Sequence, residues 1–289
     1  MNSLVSFLPE IFLSTMACII LLVGVFSGRS GLVSGLSQGA LIGTALLLVS
    51  SFAWGASPPR PLFFILKLAI VIHVSAVLLY VRAYNAQRRI PDLEFGVLAL
   101  LATVGMMLLV SAQEVLVLFL GAELLSLSTC AMMAMRRDQS LCLEAALKYF
   151  VMGAIASGML LYGLSLVYGA TGKLDLIEVA NAIAVNWQKE NEMLLFALVF
   201  VVAGVGFKLA ATPFHMWAPD VYQGAPTSVT LFISAAPKIA AMGMAFRLLT
   251  LGLSDAVVQW QQLILVMALL STAIGNLFAI VQTNIKRLF

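Results

Sequence analysis

Nine stretches of about twenty apolar residues, each cut off by charged or turn-forming residues, limit this chain more than any other feature of its sequence. A helix rising about 1.5 Å per residue needs about 20 residues to cross a hydrocarbon core of about 30 Å. By that ruler the runs fall near residues 4–26, 32–53, 61–82, 93–112, 114–135, 143–169, 193–217, 226–250 and 257–282. Backbone groups in lipid must bond within their own segment, and no two-residue alternation of a barrel is present, so the runs read as helices. The fold class that follows is an all-α, polytopic transmembrane bundle. Of the 289 residues, 62% are hydrophobic and 10% charged, against about 25% charged in a soluble domain. The bilayer, rather than a protein interior, is the main solvent. The net charge of +3 is spread along the chain and gives no basic patch for nucleic acid.

Orientation follows from the basic residues. Arg29, Arg82, Arg88, Arg89, Arg136, Arg137, Lys286 and Arg287 flank the odd connections, and Arg60, Lys173, Lys189 and Arg247 the even ones. The odd connections are therefore expected on the cytoplasmic or matrix side, with the N-terminus outside. Trp54, Trp187 and Trp260 fall at expected interfaces. One long connection, about 170–192, reads as a short amphipathic segment at the outer surface. No connection is long enough for a soluble domain. Met1-Asn2-Ser3 leads straight into apolar sequence, so the first helix is read as retained. Cys18, Cys130 and Cys142 form no CxxC pair, and His73 and His215 lie far apart, which argues against an iron–sulfur cluster, a zinc site or a bis-histidine haem.

Four lysines, Lys67, Lys148, Lys208 and Lys238, and one glutamate, Glu123, sit inside the apolar runs. Such charges cost about 2.5–3.5 kcal/mol each at a helix centre, so they face a bundle interior and mark an ion or proton path by default. Depth separates them. Glu123 lies roughly 14 Å into its span, Lys208 roughly 18–22 Å and Lys238 roughly 18 Å, and all three are expected to face a common wet interior. Pro213 and Pro237 withhold backbone donors beside the two lysines and free carbonyls that can solvate water or an ammonium. Thr212 and His215 follow Lys208 at i+4 and i+7, on roughly one face, and give a polar stripe in which His215 is read either as a relay or as a hydrogen-bonded interfacial residue. Ser126 lies one turn from Glu123. Glu144 and Lys148 form an i,i+4 pair near a helix start, read either as part of the path or as a pair at the membrane edge. Lys67, close to its span's entry, is expected to snorkel, and His73 to be a satisfied interhelical donor.

The run from Gly206 to Lys238, GFKLAATPFHMWAPDVYQGAPTSVTLFISAAPK, resembles the antiporter-like membrane-arm subunits of respiratory complex I, subunit 2 in mitochondria and subunit N in bacteria. Gly121-Ala122-Glu123-Leu124, the segment from Glu144 to Phe150, and Leu161-Tyr162-Gly163 extend the likeness over nearly the whole chain. The resemblance implies three leading helices (1–92), a first five-helix repeat with a broken seventh helix (93–250) and the first helix of a second, inverted repeat (251–289). It implies that Glu123, Lys208 and Lys238 match the fifth-, seventh- and eighth-helix members of a hydrated axis that passes protons, driven by quinone reduction elsewhere. No cofactor is expected on this chain; NADH, FMN, iron–sulfur clusters and ubiquinone would belong to other subunits, and the partners would be other membrane-arm subunits. Members of the family run on past Phe289 through further helices, so the remaining half is expected on a second chain, or the subunit is a shortened one. Two other functions are kept: a subunit of a multi-subunit cation/proton antiporter, and a brace of the membrane arm. The expected location is the mitochondrial inner membrane, with a bacterial plasma membrane as the alternative.

Overall fold

The computed structural model describes residues 7–27, 30–53, 61–186 and 191–288. Its helices are α1 Leu8–Ser27, α2 Ser30–Ala53, α3 Pro61–Gln87, α4 Asp92–Ser111, α5 Val115–Met133, α6 Ser140–Thr171, α7 Leu176–Asn186, α8 Asn191–Leu209, α9 Trp217–Gly224, α10 Thr227–Ala245, α11 Val257–Val281 and α12 Ile285–Leu288. A π-helical stretch, Phe246–Gly252, prolongs α10. Among the described residues nine helices are long and apolar enough to cross a membrane. They match the nine apolar runs, and no strand is found there. Trp54, Trp187, Arg29, Arg60 and Lys189 lie outside the described residues.

The expected amphipathic segment is α7. Asp175 caps it, its Oδ1 accepting the N–H groups of Ile177 (2.8 Å) and Glu178 (3.2 Å). Leu176, Val179 and Ile183 are buried on one side of it. The backbone just before α7 pairs with the α4–α5 turn, Val115 N–H to the Leu174 carbonyl and Leu176 N–H to the Gln113 carbonyl, at 3.0 and 2.9 Å. This ties the α4–α5 turn to the chain that follows α6.

Lipid supplies no hydrophobic drive between helices, so close approach depends on small residues. Gly105 of α4 faces Gly121 of α5. A Cβ on Gly105 would stand 2.7 Å from the Leu125 backbone nitrogen and 2.8 Å from the Gly121 carbonyl oxygen. α6 and α8 meet in the same way, where a Cβ on Gly163 would stand 2.8 Å from the Val201 nitrogen. α11 stands apart: none of its residues is buried. Its Trp260 donates to the Leu253 carbonyl at 3.1 Å.

Lys67 does not snorkel. It is 6% exposed, and its ammonium lies 2.5 Å from Glu10 Oε1, itself on a residue 3% exposed. The Ser111 hydroxyl donates to the same oxygen at 2.8 Å. The charge is neutralised within the bundle, so no pull toward water remains, and α1, α3 and α4 are joined there. Nearby, Arg247 of the π-helical stretch donates from Nε to the Val110 carbonyl at 2.8 Å and lies 4.1 Å from the Phe63 ring centre. His73 bonds to the backbone of Leu231 through one nitrogen, while Nε2 is buried without a partner. The donor role expected of it is therefore filled on one side.

Two outcomes follow for thermal unfolding in detergent. Gly105→Ala forces α4 off α5 and lowers stability by about 1–3 kcal/mol. Lys67→Met alone, leaving a buried carboxylate unpaired, costs about 3–5 kcal/mol. Adding Glu10→Gln to it should recover much of that loss. A double variant no more stable than Lys67→Met would show that the pair does not join the leading helices.

Candidate functional site

The site is organised by the place where α8 stops. Ala210 adopts φ 57°, its N–H bonds back to the Phe207 carbonyl at 3.0 Å, and the Ala211 N–H reaches the Gly206 carbonyl at 2.9 Å. This is the paired hydrogen-bond pattern that closes a helix on a left-handed residue. The chain then turns through 211–216 and resumes as α9. The seventh span is broken, as expected, but at Ala210 rather than at Pro213. A helix end inside a membrane bundle presents carbonyls that need donors. Two side chains supply them. Trp217 Nε1 donates to the Phe207 carbonyl at 3.1 Å, and Lys238 Nζ to the Lys208 carbonyl at 3.3 Å.

Lys208, in the last turn of α8, is 8% exposed. Its ammonium donates to the Ala122 carbonyl of α5 at 3.3 Å and to the Ser126 hydroxyl. Ser126 in turn donates to the Ala122 carbonyl at 2.8 Å. Glu123 lies on the same helix and takes a hydrogen bond from Ser157 of α6. Glu123 and Lys208 are not in ion-pair contact: Glu123 is bonded to Ser157, and Lys208 to Ser126 and the Ala122 carbonyl. Two bonded groups result, Ser157 with Glu123 and Ser126 with Lys208 and, through the Lys208 carbonyl, Lys238; Glu123 and Ser126 are three residues apart on α5.

Aromatic rings wall the far end. The Trp217 ring centre lies 5.1 Å from that of Tyr149 and 5.4 Å from that of Phe207. Lys238 Nζ sits 4.8 Å from the Trp217 ring centre, an attraction of about 0.5–2 kcal/mol, larger the drier the site. Lys208 and Lys238 both line a small cavity of about 20 Å³ with Thr129, Tyr149 and Trp217. A single water needs about 10–15 Å³, so one fits between the two lysines. Glu123 does not line it. The common interior expected for all three charges is shared by two of them, because Glu123 projects toward α6 and Ser157.

The polar stripe Lys208–Thr212–His215 does not form. It presumed a helix running through Pro213, and the helix ends before it. The Thr212 N–H instead donates to Ser271 of α11 at 2.9 Å. His215 Nδ1 lies 3.4 Å from Thr212 Oγ1, and its ring is 6.3 Å from that of Phe278. His215 and Lys238 line a separate open crevice of about 1,080 Å³ between the broken span, α10 and α11.

Glu144 and Lys148 pair at 2.7 Å. Lys148 also lies 2.7 Å from Asp220 of α9, and Asp220 takes a second cation, Arg287 of α12. Sequence reasoning passed over Asp220, Trp217, Tyr149 and Ser157. The signal for Asp220 was present: an acidic residue inside the otherwise apolar run Met216-Trp217-Ala218-Pro219-Asp220-Val221-Tyr222. Ser157 and Tyr149 carry no such signal, since serine and tyrosine are ordinary in membrane helices.

Comparison with known proteins agrees with this architecture. The family described as NADH:quinone oxidoreductase/Mrp antiporter, TM, matches residues 112–289. A Coxiella burnetii (strain RSA 493 / Nine Mile phase I) protein named NADH-quinone oxidoreductase subunit N is 51% identical, over 97% of this chain and 61% of its own length. A chain of respiratory complex I from Thermus thermophilus superposes with a TM-score of 0.81 at 32% identity, over 97% of this chain and 60% of that one. A chain of the membrane-bound sulfane sulfur reductase, an archaeal respiratory membrane complex, gives 0.80 at 25% identity, over 99% and 61%. The chain thus spans about three fifths of the length of the curated relatives it matches. A match over residues 112–289, the whole of the region holding the broken span and its lysines, places this multi-pass membrane protein in the NADH:quinone oxidoreductase/Mrp antiporter transmembrane family.

Proposed function

We propose that the chain is a membrane-arm subunit of a proton-pumping NADH:quinone oxidoreductase, and that it carries protons along Glu123, Lys208 and Lys238. The observation that carries the reading is Lys208: a lysine 8% exposed, held by a hydroxyl and a carbonyl rather than by a carboxylate. With no fixed counter-charge bonded to it, the proton on such a group responds to small movements of neighbouring dipoles. A proton held on the Glu123 carboxyl reaches the Lys208 amine by way of Ser126. It leaves Lys208 through a water in the 20 Å³ cavity, which hands it to the Lys238 amine. Lys238 also lines the open crevice, and His215 lines it too as a candidate relay. Glu144 and Lys148 stand at the inner end of α6 as a second charged station.

On this reading residues 1–92 are the leading helices, 93–250 the first repeat and 251–289 the beginning of a second. The electron carriers NADH, FMN, iron–sulfur clusters and quinone belong to other subunits, and the partners are neighbouring membrane-arm chains. The curated relatives are bacterial, which supports the plasma membrane and gives no support to the mitochondrial inner membrane. The family description also covers antiporters, so a cation/proton antiporter subunit is the second reading.

The test is NADH-driven proton uptake in membrane vesicles holding the assembled complex. Lys208→Met and Glu123→Gln should each slow the rate of NADH-driven proton uptake about tenfold or more, since a positioned proton-transfer group contributes about 10²–10⁴ in rate. Full pumping in an assembled Lys208→Met complex would leave only a brace. Cation-dependent proton exchange that needs no NADH would favour the antiporter.

A further inference from the structure

α9 touches two lysines that share no direct contact. Its first residue, Trp217, lies against Lys238 and donates to the end of α8. One turn on, Asp220 meets Lys148 at 2.7 Å. Residues three apart on a helix share a face, so one rigid eight-residue element presents both groups. Its far end is pressed to α6: a Cβ on Gly224 would stand 2.6 Å from the Leu141 carbonyl oxygen, so the backbones nearly touch. α12 holds the other side through Arg287 on Asp220 and through Lys286, whose Nζ donates to the Ala225 carbonyl at 3.4 Å.

Lys148 is divided between two acceptors, Glu144 on its own helix and Asp220 on α9, each at 2.7 Å. These acceptors differ in what remains when the ammonium is neutral. Asp220 keeps Arg287, whereas the Lys148 contact is the ion pair recorded for Glu144 among the described residues. Losing the Lys148 charge therefore weakens the hold of α6 on the Asp220 turn of α9, while Arg287 keeps that turn tied to α12 and Gly224 stays packed on Leu141. The 140 Å³ pocket beside Glu144, Lys148, Asp220 and Arg287 gives the side chains room to part.

We propose that Asp220 is a positioning residue which links the charge on Lys148 to the setting of Lys238, with α9 as the lever between them. It rests on the proton-carrying function proposed above. The carboxylate does not itself pass the proton; it sets how strongly the first turn of α9 is drawn toward Lys148 on α6 as against Arg287 on α12. That sets how Trp217 sits over Lys238. Coupling of this kind is reciprocal, so the state of Lys238 must bias Lys148 equally.

The experiment is a double-variant cycle on proton uptake per NADH oxidised in vesicles with the assembled complex. Asp220→Asn should lower uptake about fivefold, the lower end of measured couplings between sites, and Asp220→Glu should restore most of it. Lys148→Gln should lower it comparably. Because Asp220 acts through Lys148, the pair Lys148→Gln/Asp220→Asn should be no worse than Lys148→Gln alone. Independent, multiplying losses would overturn the lever and leave Asp220 a mere anchor for Arg287. Full uptake in Lys148→Gln would also overturn it. If Lys208→Met is then still inactive, the proton-carrying function stands and only the lever falls; if Lys208→Met is active too, both fall.

Discussion

A helix that ends inside a membrane bundle leaves carbonyls with no water to turn to, and the whole candidate site is built around meeting that demand. Ala210 stops α8, its own N–H and that of Ala211 satisfy two carbonyls, and Trp217 and Lys238 reach in to the Phe207 and Lys208 oxygens. Trp217 can do so because the chain restarts as α9 after only a few residues, and Lys238 reaches the same helix end from α10. The rings of Tyr149, Phe207 and Trp217 then have fixed places, and with them the cavity between the two lysines.

The bundle treats its buried charges in two ways. Glu10 and Lys67 neutralise one another at 2.5 Å and are braced by Ser111. That arrangement holds helices in register and is costly to break from one side. Lys208 is treated differently, with neutral groups for partners and its nearest carboxylate occupied by Ser157. A tight ion pair fixes a charge in place. A lysine among dipoles has no fixed counter-charge, and the proposed proton-carrying role of Lys208 rests on that difference.

Much of this was legible in the sequence, and the exceptions are contacts that spacing along a single helix does not show. Span number and position follow from length and hydropathy, which lipid enforces on every segment. Lys208, Lys238, Glu123 and the Glu144–Lys148 pair were visible because charge inside an apolar run is conspicuous. What failed were inferences that carried helical periodicity across a break. Pro213 drew attention to the right region, yet the helix ends three residues earlier, at an alanine that carries no left-handed preference, so the His215 stripe dissolved. Lys67 was misplaced for a related reason: its partner Glu10 lies 57 positions away, and sequence spacing says nothing of such pairs. Ser157 and Trp217 were invisible because their residue types are common in membrane helices.

The choice of lysine at positions 208 and 238 follows from the same demand for donors. An ammonium offers three N–H groups and a neutral amine still offers two, while gaining a lone pair. Lys208 can therefore keep its bonds to Ser126 and the Ala122 carbonyl in either state, and Lys238 can go on capping the Lys208 carbonyl after giving up a proton. Arginine would cap as well but does not release its proton in proteins. A carboxylate would release one, but once ionised it has nothing to donate and would leave the helix end bare. Where a broken helix must stay satisfied while a proton comes and goes, lysine meets both conditions, and the capping geometry at Ala210 and the proposed proton route are two consequences of one chemical property.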